Sequence, residues 1–382
     1  MLLAATGLCV IWSINSADAI RSQPWIVVLL IAGMLNTVCI VRSYRHAGLL
    51  TALYVAAVGV ADRIARAEFP GSDVIDATRE AVRVLFAGQN PYFHVFMTTR
   101  PPGSPLPYFP GELFFYGIPY YLLHSIDNVD KFSGIAVLFL LISLSPIVGA
   151  ARASLGAALY AGFSLAALRS VDGSNDTSLA FLMVFSIVLL MWSEHTGKRA
   201  LFSMSALLFG WALLFKVLSW PFAPFLFAYL FKRDMMWARR YVMIAGGSFF
   251  VFLAPFLFPS PIGVITNFYQ GLIVHDYIGG LSIWNALVSV GVRIDPHTWI
   301  LPTAEFGLAG LLMLELLRRQ GRSLGEALLC GSAVLGTLLL LARWSTTPYF
   351  TYAGTLFILA ITCVSQADAQ PATRESAGAA SE

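Results

Sequence analysis

Charged residues are scarce in this sequence. Of its 382 residues, 12% are charged and 58% are hydrophobic, and the mean hydropathy is +0.74. A soluble domain carries about 25% charged and 45–50% apolar residues. A globular protein of this length needs a charged surface that this chain cannot supply, which excludes a soluble fold and predicts an integral membrane protein.

Several signatures of nucleotide, metal and redox chemistry are also missing. The sequence has no GxxxxGK[ST], GxGxxG, HExxH or DxD motif. Its four cysteines form no CxxC and lie in apolar runs, which is typical of buried small hydrophobes. The net charge of +3 comes without a basic stripe. We therefore expect no metal site, no cofactor and no nucleic-acid partner.

Apolar runs of membrane-spanning length dominate what is present. A span needs about 20 mostly apolar residues, and the sequence predicts an all-α, polytopic membrane protein with about 12 transmembrane helices. The first run has no charged n-region, so we interpret it as a retained span. Residues 1–364 are predicted to form one transmembrane domain, and 365–382 a disordered cytoplasmic tail. The predicted spans are 1–16, 24–41, 47–62, 132–150, 154–169, 178–193, 200–216, 218–231, 241–258, 300–317, 326–342 and 348–364.

Basic loops predict the orientation, because Lys and Arg favour short cytoplasmic loops. The basic loops contain Arg42 and Arg45, Lys198 and Arg199, Lys232 to Arg240, and Arg318 to Arg322. Placing all of them in the cytoplasm requires that 111–124 does not cross, and we interpret it as a re-entrant or interfacial segment broken at Gly117-Ile-Pro119. Both termini are then cytoplasmic.

The same orientation places most acidic residues on the outer face, although carboxylates did not enter its derivation. Their concentration predicts a polar working surface there. Two outer loops are long, 63–112 and 259–299. The acidic residues on this face are Asp62, Glu68, Asp73, Asp76, Glu80, Glu112, Asp127, Asp130, Asp172, Asp176, Asp276 and Asp295.

The first outer loop contains an amphipathic pattern from Val74 to Ala87, with Ser72 as its predicted N-cap. Such a helix lies on the membrane surface. Asp73 falls in its first turn and is either a general base for a hydroxyl acceptor or simply a helix cap. Asp76 is a second candidate that can equally pair with Arg79.

Aromatic stretches follow this helix. Asn90-Pro91 marks a turn and precedes Tyr92, and Tyr108-Phe109 follows shortly afterwards. These rings either anchor the loop at the membrane interface or stack on a sugar, and composition leaves both readings open.

Polar residues inside or beside apolar runs are functional candidates by default. Lys216, predicted at the outer end of a span, either binds a phosphate or extends to solvent as a snorkelling lysine. Arg343 has a similar predicted position. The remaining candidates are Asn175 and Asp176, in an outer turn after Arg169, and His275 and Asp276, in the second outer loop.

The order of several motifs resembles a known family. An acidic motif at Asp73 is followed by "GQNPY" ending at Tyr92 and by "PYFPGELFFY"; "GSNDTSLAFL" (173–182) and "GWALLFKVLSWPFAPFL" (210–226) come later. Together they resemble the GT-C superfamily of multispanning glycosyltransferases, and most of all the bacterial polyprenyl-phosphate-mannose-dependent mannosyltransferase-like proteins. The resemblance covers 70–260. Where family members have Tyr-Pro-Pro, this chain has Tyr108-Phe109-Pro110, and it has extra N-terminal spans.

The resemblance implies a function: transfer of a sugar, possibly mannose, from a polyprenyl-phosphate donor to a lipid-linked or glycan acceptor on the outer face of the bacterial plasma membrane, with inversion. It implies Asp73 as the base and Lys216 as the residue that faces the donor phosphate, without a metal. We further expect Asp76, the second catalytic candidate, and Glu80 to support acceptor contacts, and Arg343 to hold the phosphate together with Lys216. The other predicted substrate-binding residues are Asn90, Tyr92, Asn175, Asp176, His275 and Asp276. The alternative is a transporter or flippase for a lipid or polar solute, which the absence of an internal repeat disfavours.

Overall fold

The computed structural model describes residues 1–15, 25–66, 72–99, 102–103, 106, 108–273 and 278–364, and within them the protein is almost entirely helical. The predicted tail, 365–382, lies outside the described residues. His275 and Asp276, in the second predicted outer loop, also lie outside them. The α-helices are α1 (Leu2–Asn15), α2 (Trp25–Val41), α3 (Ala47–Ala65), α4 (Val74–Phe86), α5 (Pro110–Leu123), α6 (Val129–Ser143), α7 (Ser145–Val148), α8 (Ala150–Ala161), α9 (Ser164–Arg169), α10 (Asp176–Thr196), α11 (Arg199–Leu213), α12 (Ala223–Arg233), α13 (Met235–Leu257), α14 (Pro261–Ile273), α15 (Ile283–Ser289), α16 (Ile300–Arg319), α17 (Leu324–Leu341) and α18 (Thr347–Cys363).

Short elements complete this description. Two 3₁₀ helices cover Pro91–Phe93 and Val217–Phe222. The strands β1 (Gly279–Gly280) and β2 (Trp344–Ser345) pair in parallel, with Gly279 opposite Trp344. This pair joins the second predicted outer loop to the segment that enters α18.

Within the described residues, six helical segments are long and apolar enough to cross a membrane. They are α3, Val129–Val148 (α6 with α7), α10, α13, α16 and α17. Among them α10 is almost entirely buried, whereas only about a tenth of α16 is fully buried, as expected for a central helix and a peripheral one. The shorter apolar helices are Leu2–Trp12, Ile26–Val41, Arg199–Leu213 and Thr347–Cys363.

Two predicted spans are not single long helices. The run 154–169 is divided between α8 and α9 at Gly162-Phe163, where Phe163 leaves the helical region with ψ 88°. The run 218–231 begins as the 3₁₀ segment and continues as the 11-residue α12. Pro221 lies in this 3₁₀ segment, and its ring and missing N–H disfavour one continuous α-helix.

The predicted break at Gly117-Ile-Pro119 is wrong, because α5 continues through both residues as far as Leu123. The segment that contains α5 nevertheless contacts α4 at two points. Thr78 contacts Glu112 near the start of α5, and the adjacent Arg79 contacts Asp127, four residues beyond its end. The 14 residues of α5 extend about 21 Å, which is shorter than the about 30 Å of a hydrocarbon core.

The basic loops contact one another at the opposite end of the helices. Arg233 Nη1 lies 3.0 Å from Glu194 Oε2, and Lys232 donates to the carbonyl of Gln320. The Gln320 amide in turn donates to the Phe225 carbonyl at 2.9 Å. The helix ends thus separate into a basic group and an acidic group.

The three N-terminal helices are tied together by a buried polar contact. The Asn36 amide on α2 donates to the hydroxyl of Thr6 on α1 at 2.8 Å and to that of Thr51 on α3 at 3.1 Å. Buried amide and hydroxyl groups need such partners where water is absent. These helices pack as part of one helical body.

Candidate functional site

Five residues from four parts of the chain form a buried hydrogen-bonded chain at the acidic end. Thr78 on α4 contacts Glu112 Oε1 at 2.5 Å, and the Asn175 amide donates to Glu112 Oε2 at 2.8 Å. Lys216 Nζ donates to both Asn175 Oδ1 and Asp176 Oδ1 at 2.9 Å. Three of the residues singled out in the sequence, Asn175, Asp176 and Lys216, therefore lie together.

The turn before α10 has the backbone geometry that makes this contact possible. Asn175 adopts φ +61°, a left-handed conformation that Asn tolerates better than most residues. Gly173 adopts φ +71°, and a Cβ there would lie 2.6 Å from the Ile75 side chain. The turn thereby packs against α4 while the Asn175 side chain faces Glu112 and Lys216.

Lys216 does not snorkel to solvent. It is 8% exposed, and it forms an ion pair with Asp176. Its Nζ also lies 4.8 Å from the ring centre of Tyr349 and 5.9 Å from that of Tyr108, within cation–π range. An ammonium has three N–H donors, of which two bond Asn175 and Asp176.

Glu112 is fully buried, and burial raises its pKa from 4.5 to about 8, against the opposing effects of Thr78, Lys216 and Asn175. The hydrogen-bond geometry agrees with a neutral carboxyl group. Thr78 Oγ1 lies 2.7 Å from the Val74 carbonyl, where it must donate its single proton. The contact between Thr78 and Glu112 then requires the proton of a carboxylic acid.

Asp73, rather than the predicted Ser72, occupies the N-cap position of α4, and its side chain does not cap the helix. The helix itself is confirmed as Val74–Phe86. Ser72 accepts a hydrogen bond from the Val74 amide at 3.2 Å. Asp73 lies close enough to the buried Tyr108 to raise its phenol pKa, after the larger effects of burial, Glu112 and Tyr349. Asp73 and Lys216 thus both lie near Tyr108.

Asp76 forms the helix-surface pair that was its alternative interpretation. Its Oδ1 lies 2.6 Å from Arg79 Nη1, and Arg79 Nη2 reaches Asp127 at 2.7 Å. The pKa of Asp127 lies below its usual value, mainly because Ser125 donates a hydrogen bond to it. Partial burial opposes this shift, and Arg79 adds to it. Asp127 is therefore charged near neutral pH.

Glu80 contacts the segment that follows α4. His94 Nε2 lies 2.7 Å from Glu80 Oε1, and Thr98 donates to Oε2 at 2.6 Å. Partial burial raises the pKa of Glu80, but the hydrogen bonds from Thr98 and His94 together outweigh it and leave the pKa below its usual value. In this arrangement Glu80 orders the segment rather than facing Lys216.

Asn90 and Tyr92 have structural contacts. Asn90 Oδ1 accepts from the Tyr92 amide at 3.0 Å, which caps the short 3₁₀ helix. The Tyr92 hydroxyl donates to the Tyr108 carbonyl at 2.8 Å, and its carbonyl accepts from Asn267 at 3.3 Å. The anchoring interpretation of these residues agrees with their contacts, and Tyr92 positions Tyr108.

Arg343 lies against the second predicted outer loop. Its Nη1 donates to the Pro296 carbonyl at 3.0 Å, and its own carbonyl accepts from the Gly279 amide at 3.0 Å. These contacts support the β1–β2 pairing and do not direct Arg343 towards Lys216.

A cavity of about 220 Å³ lies beside the buried chain. Its lining includes Asp76, Arg79, Asp127, Asp130 and Asp172. The described residues contain no group of three or more His, Cys, Asp or Glu side chains placed to hold a metal ion. The cavity therefore has a mixed lining, in which aliphatic side chains lie beside several carboxylates and one arginine.

Sequence reasoning missed Glu112, Tyr108 and Tyr349 as site residues. Glu112 is an acidic residue in the first turn of an otherwise apolar helix, which is a signal that can be found in the sequence. Tyr349 lies in α18, more than 130 residues from Lys216, and no local pattern connects them. Arg169, Asp172 and Thr347 form a further contact on this face.

The comparisons assign no family to this site. No protein-family model matches the sequence, and no curated protein matches it.

Proposed function

We propose that the protein is a membrane glycosyltransferase that transfers a sugar from a polyprenyl-phosphate donor to a hydroxyl of a lipid-linked or glycan acceptor. The observation that carries this proposal is that Asp73, a half-buried carboxylate, and Lys216, a buried ammonium, both lie near Tyr108. A base and a phosphate-binding cation beside one aromatic ring are what such a transfer needs.

The proposed reaction is a single displacement. The acceptor oxygen forms a bond to the anomeric carbon while the bond from that carbon to the phosphate oxygen breaks, with inversion. The acceptor proton passes to the Asp73 carboxylate, and the polyprenyl phosphate leaves as an anion. A well-placed general base contributes about 10²–10⁴-fold to such a step.

Lys216 provides the electrostatic contact to the leaving phosphate in this proposal. Two of its three N–H donors are used by Asn175 and Asp176, which leaves one for a phosphate oxygen. The neutral state of Glu112 near pH 7 supports this role, since a charged Glu112 would repel the phosphate. Asp76, which pairs with Arg79, and Glu80, which contacts the segment 91–99, are proposed to contact the acceptor.

The position of the buried charges favours an enzyme over a transporter. Glu112, Asp130 and Asp176 lie in the first turns of their helices, and Lys216 lies just beyond the end of α11. A transporter binds its substrate near the bilayer midplane, between broken helices. Polar groups gathered at one set of helix ends suit a reaction at the membrane surface.

The proposed setting is the bacterial plasma membrane, with the acidic end of the helices outside and the basic loops and both termini in the cytoplasm. The separation of basic and acidic helix ends supports this orientation, because Lys and Arg are retained on the cytoplasmic side. Membrane lipids would contact α16, few of whose residues are fully buried.

The test uses purified protein reconstituted in liposomes with radiolabelled polyprenyl-phospho-sugars and a glycolipid extract. Polyprenyl-phospho-mannose is the first donor, followed by a panel of other lipid-linked sugars. Formation of a labelled glycolipid supports the proposal. Movement of the intact donor across the bilayer without any transfer would identify a flippase and overturn it.

A further inference from the structure

Arg63, near the end of α3, is fully buried. One of its nitrogens, Nη1, donates to the Gly59 carbonyl at 3.0 Å. The other two, Nε and Nη2, have no hydrogen-bond partner among the described residues. Nε and Nη2 form one edge of the planar guanidinium, the edge that binds anions through two parallel hydrogen bonds.

The neighbouring carboxylates accept hydrogen bonds from residues other than Arg63. Asp62 accepts from Arg66 Nε through both of its oxygens at 3.1 Å. Asp130, one turn before Gly134 on α6, accepts hydrogen bonds from Tyr116 and Ser178. Arg63 also interacts electrostatically with the Asp62 carboxylate, but one carboxylate cannot balance two guanidinium groups, so one positive charge is left over.

An unbalanced buried guanidinium is costly. An arginine does not lose its proton in a protein, so it cannot become neutral as a buried lysine can. The penalty for a buried ion without a counter-charge is several kcal/mol. A water molecule would supply a hydrogen bond but no compensating charge.

Further unpartnered donors lie around Arg63. Its Cζ is 4.7 Å from the ring centre of Tyr160, whose buried hydroxyl lies close enough to the guanidinium to interact with it but has no other hydrogen-bond partner in the described part of the chain. A Cβ added to Gly134 would lie 3.0 Å from Arg63 Nε and 3.3 Å from Thr177 Cγ2. Thr177 Oγ1 is also buried without a partner among the described residues.

We propose that Arg63, Tyr160 and Thr177 form an internal site for a small monatomic anion of the chloride class. The guanidinium edge supplies two N–H donors and the two hydroxyls complete the shell. A side chain at position 134 would press against Arg63 and Thr177, so Gly134 lets these two residues approach α6 closely. The enclosure favours a halide over a phosphate or carboxylate, because Arg63 is completely shielded from solvent. The site is independent of the proposed sugar transfer.

The test measures equilibrium binding of ³⁶Cl⁻ to purified protein in a gluconate buffer. The wild type is expected to bind one ion saturably, and bromide is expected to compete. Arg63→Met is expected to abolish binding, and Thr177→Val, nearly isosteric, to weaken it about tenfold through one lost hydrogen bond. Gly134→Ala tests the close approach to α6 while leaving the arginine in place.

Arg318→Met provides the matched control, since this arginine side chain is 80% exposed at the opposite end of the helices. Binding by Arg318→Met should equal that of the wild type. The proposal is overturned if the wild type shows no saturable ³⁶Cl⁻ binding. It is also overturned if folded Thr177→Val and Gly134→Ala protein both bind the ion as tightly as the wild type.

Discussion

Glu112→Gln should remove a specific part of the pH dependence of stability. The pKa of Glu112 is raised from 4.5 to about 8 by burial. An acid with a raised pKa in the folded state binds its proton more tightly when folded. Its contribution to stability is therefore complete below pH 4.5 and is lost as the pH rises through about 8. Gln imitates the neutral acid and does not titrate.

The magnitude follows from the pKa change. One pKa unit corresponds to about 1.4 kcal/mol, so ionisation of Glu112 removes on the order of 5 kcal/mol between pH 4.5 and 8. The amide introduced by Glu112→Gln retains a donor for Thr78 and an acceptor for Asn175, so the substitution itself should cost little. The variant should become more stable than the wild type as the pH increases.

The assay is equilibrium unfolding in mixed micelles, followed by the fluorescence of the nine tryptophans, at pH values from 5 to 9. The difference in the free energy of unfolding between Glu112→Gln and wild type should grow by several kcal/mol over this range. Glu315→Gln, at a 44% exposed side chain on α16, provides the control with a flat difference. A difference for Glu112→Gln that stays constant from pH 5 to 8 would refute a neutral Glu112.

Three further substitutions test the packing of the site. Gly111→Ala should destabilise the protein by about 1–3 kcal/mol in a thermal unfolding assay, because its Cβ would lie 2.5 Å from the Leu214 carbonyl oxygen; an unchanged midpoint would contradict the close approach. Lys216→Met should cost about 3–5 kcal/mol by leaving Asp176 buried and unpaired, and adding Asp176→Leu should recover part of this loss; equal stability of the single and double variants would argue against the ion pair. Glu80→Gln should cost less than about 1 kcal/mol, since the side chain is partly exposed, but should speed amide exchange in 91–99.

The amphipathic helix α4 could be predicted because its signal is local. The periodicity from Val74 onward, with a glycine after the last turn, is contained in about fifteen residues. The structure ends the helix at Phe86, one residue before the predicted end. The buried face, which includes Ala77, Ala81 and Val82, is the predicted apolar face.

The contacts of Glu112 could not be predicted in the same way. They join residues 34 and 63 positions apart in the chain, and no repeat or spacing connects such residues. The choice between a snorkelling and a buried Lys216 also depended on Asp176 and Tyr349, whose positions follow from tertiary packing. Span boundaries failed where Pro221 and Gly162 changed the helix type or interrupted it, because hydropathy alone is insensitive to backbone geometry.

The most direct test of the central claim compares the rate of sugar transfer by Asp73→Asn and Asp76→Asn protein, both reconstituted with the donor that supports activity. The account predicts a loss of about 10²-fold or more for Asp73→Asn, the typical effect of removing a general base. For Asp76→Asn it predicts less than about tenfold, the factor that corresponds to about 1.4 kcal/mol, since exposed ion pairs contribute at most about 1 kcal/mol. Full transfer by correctly folded Asp73→Asn protein would contradict the account.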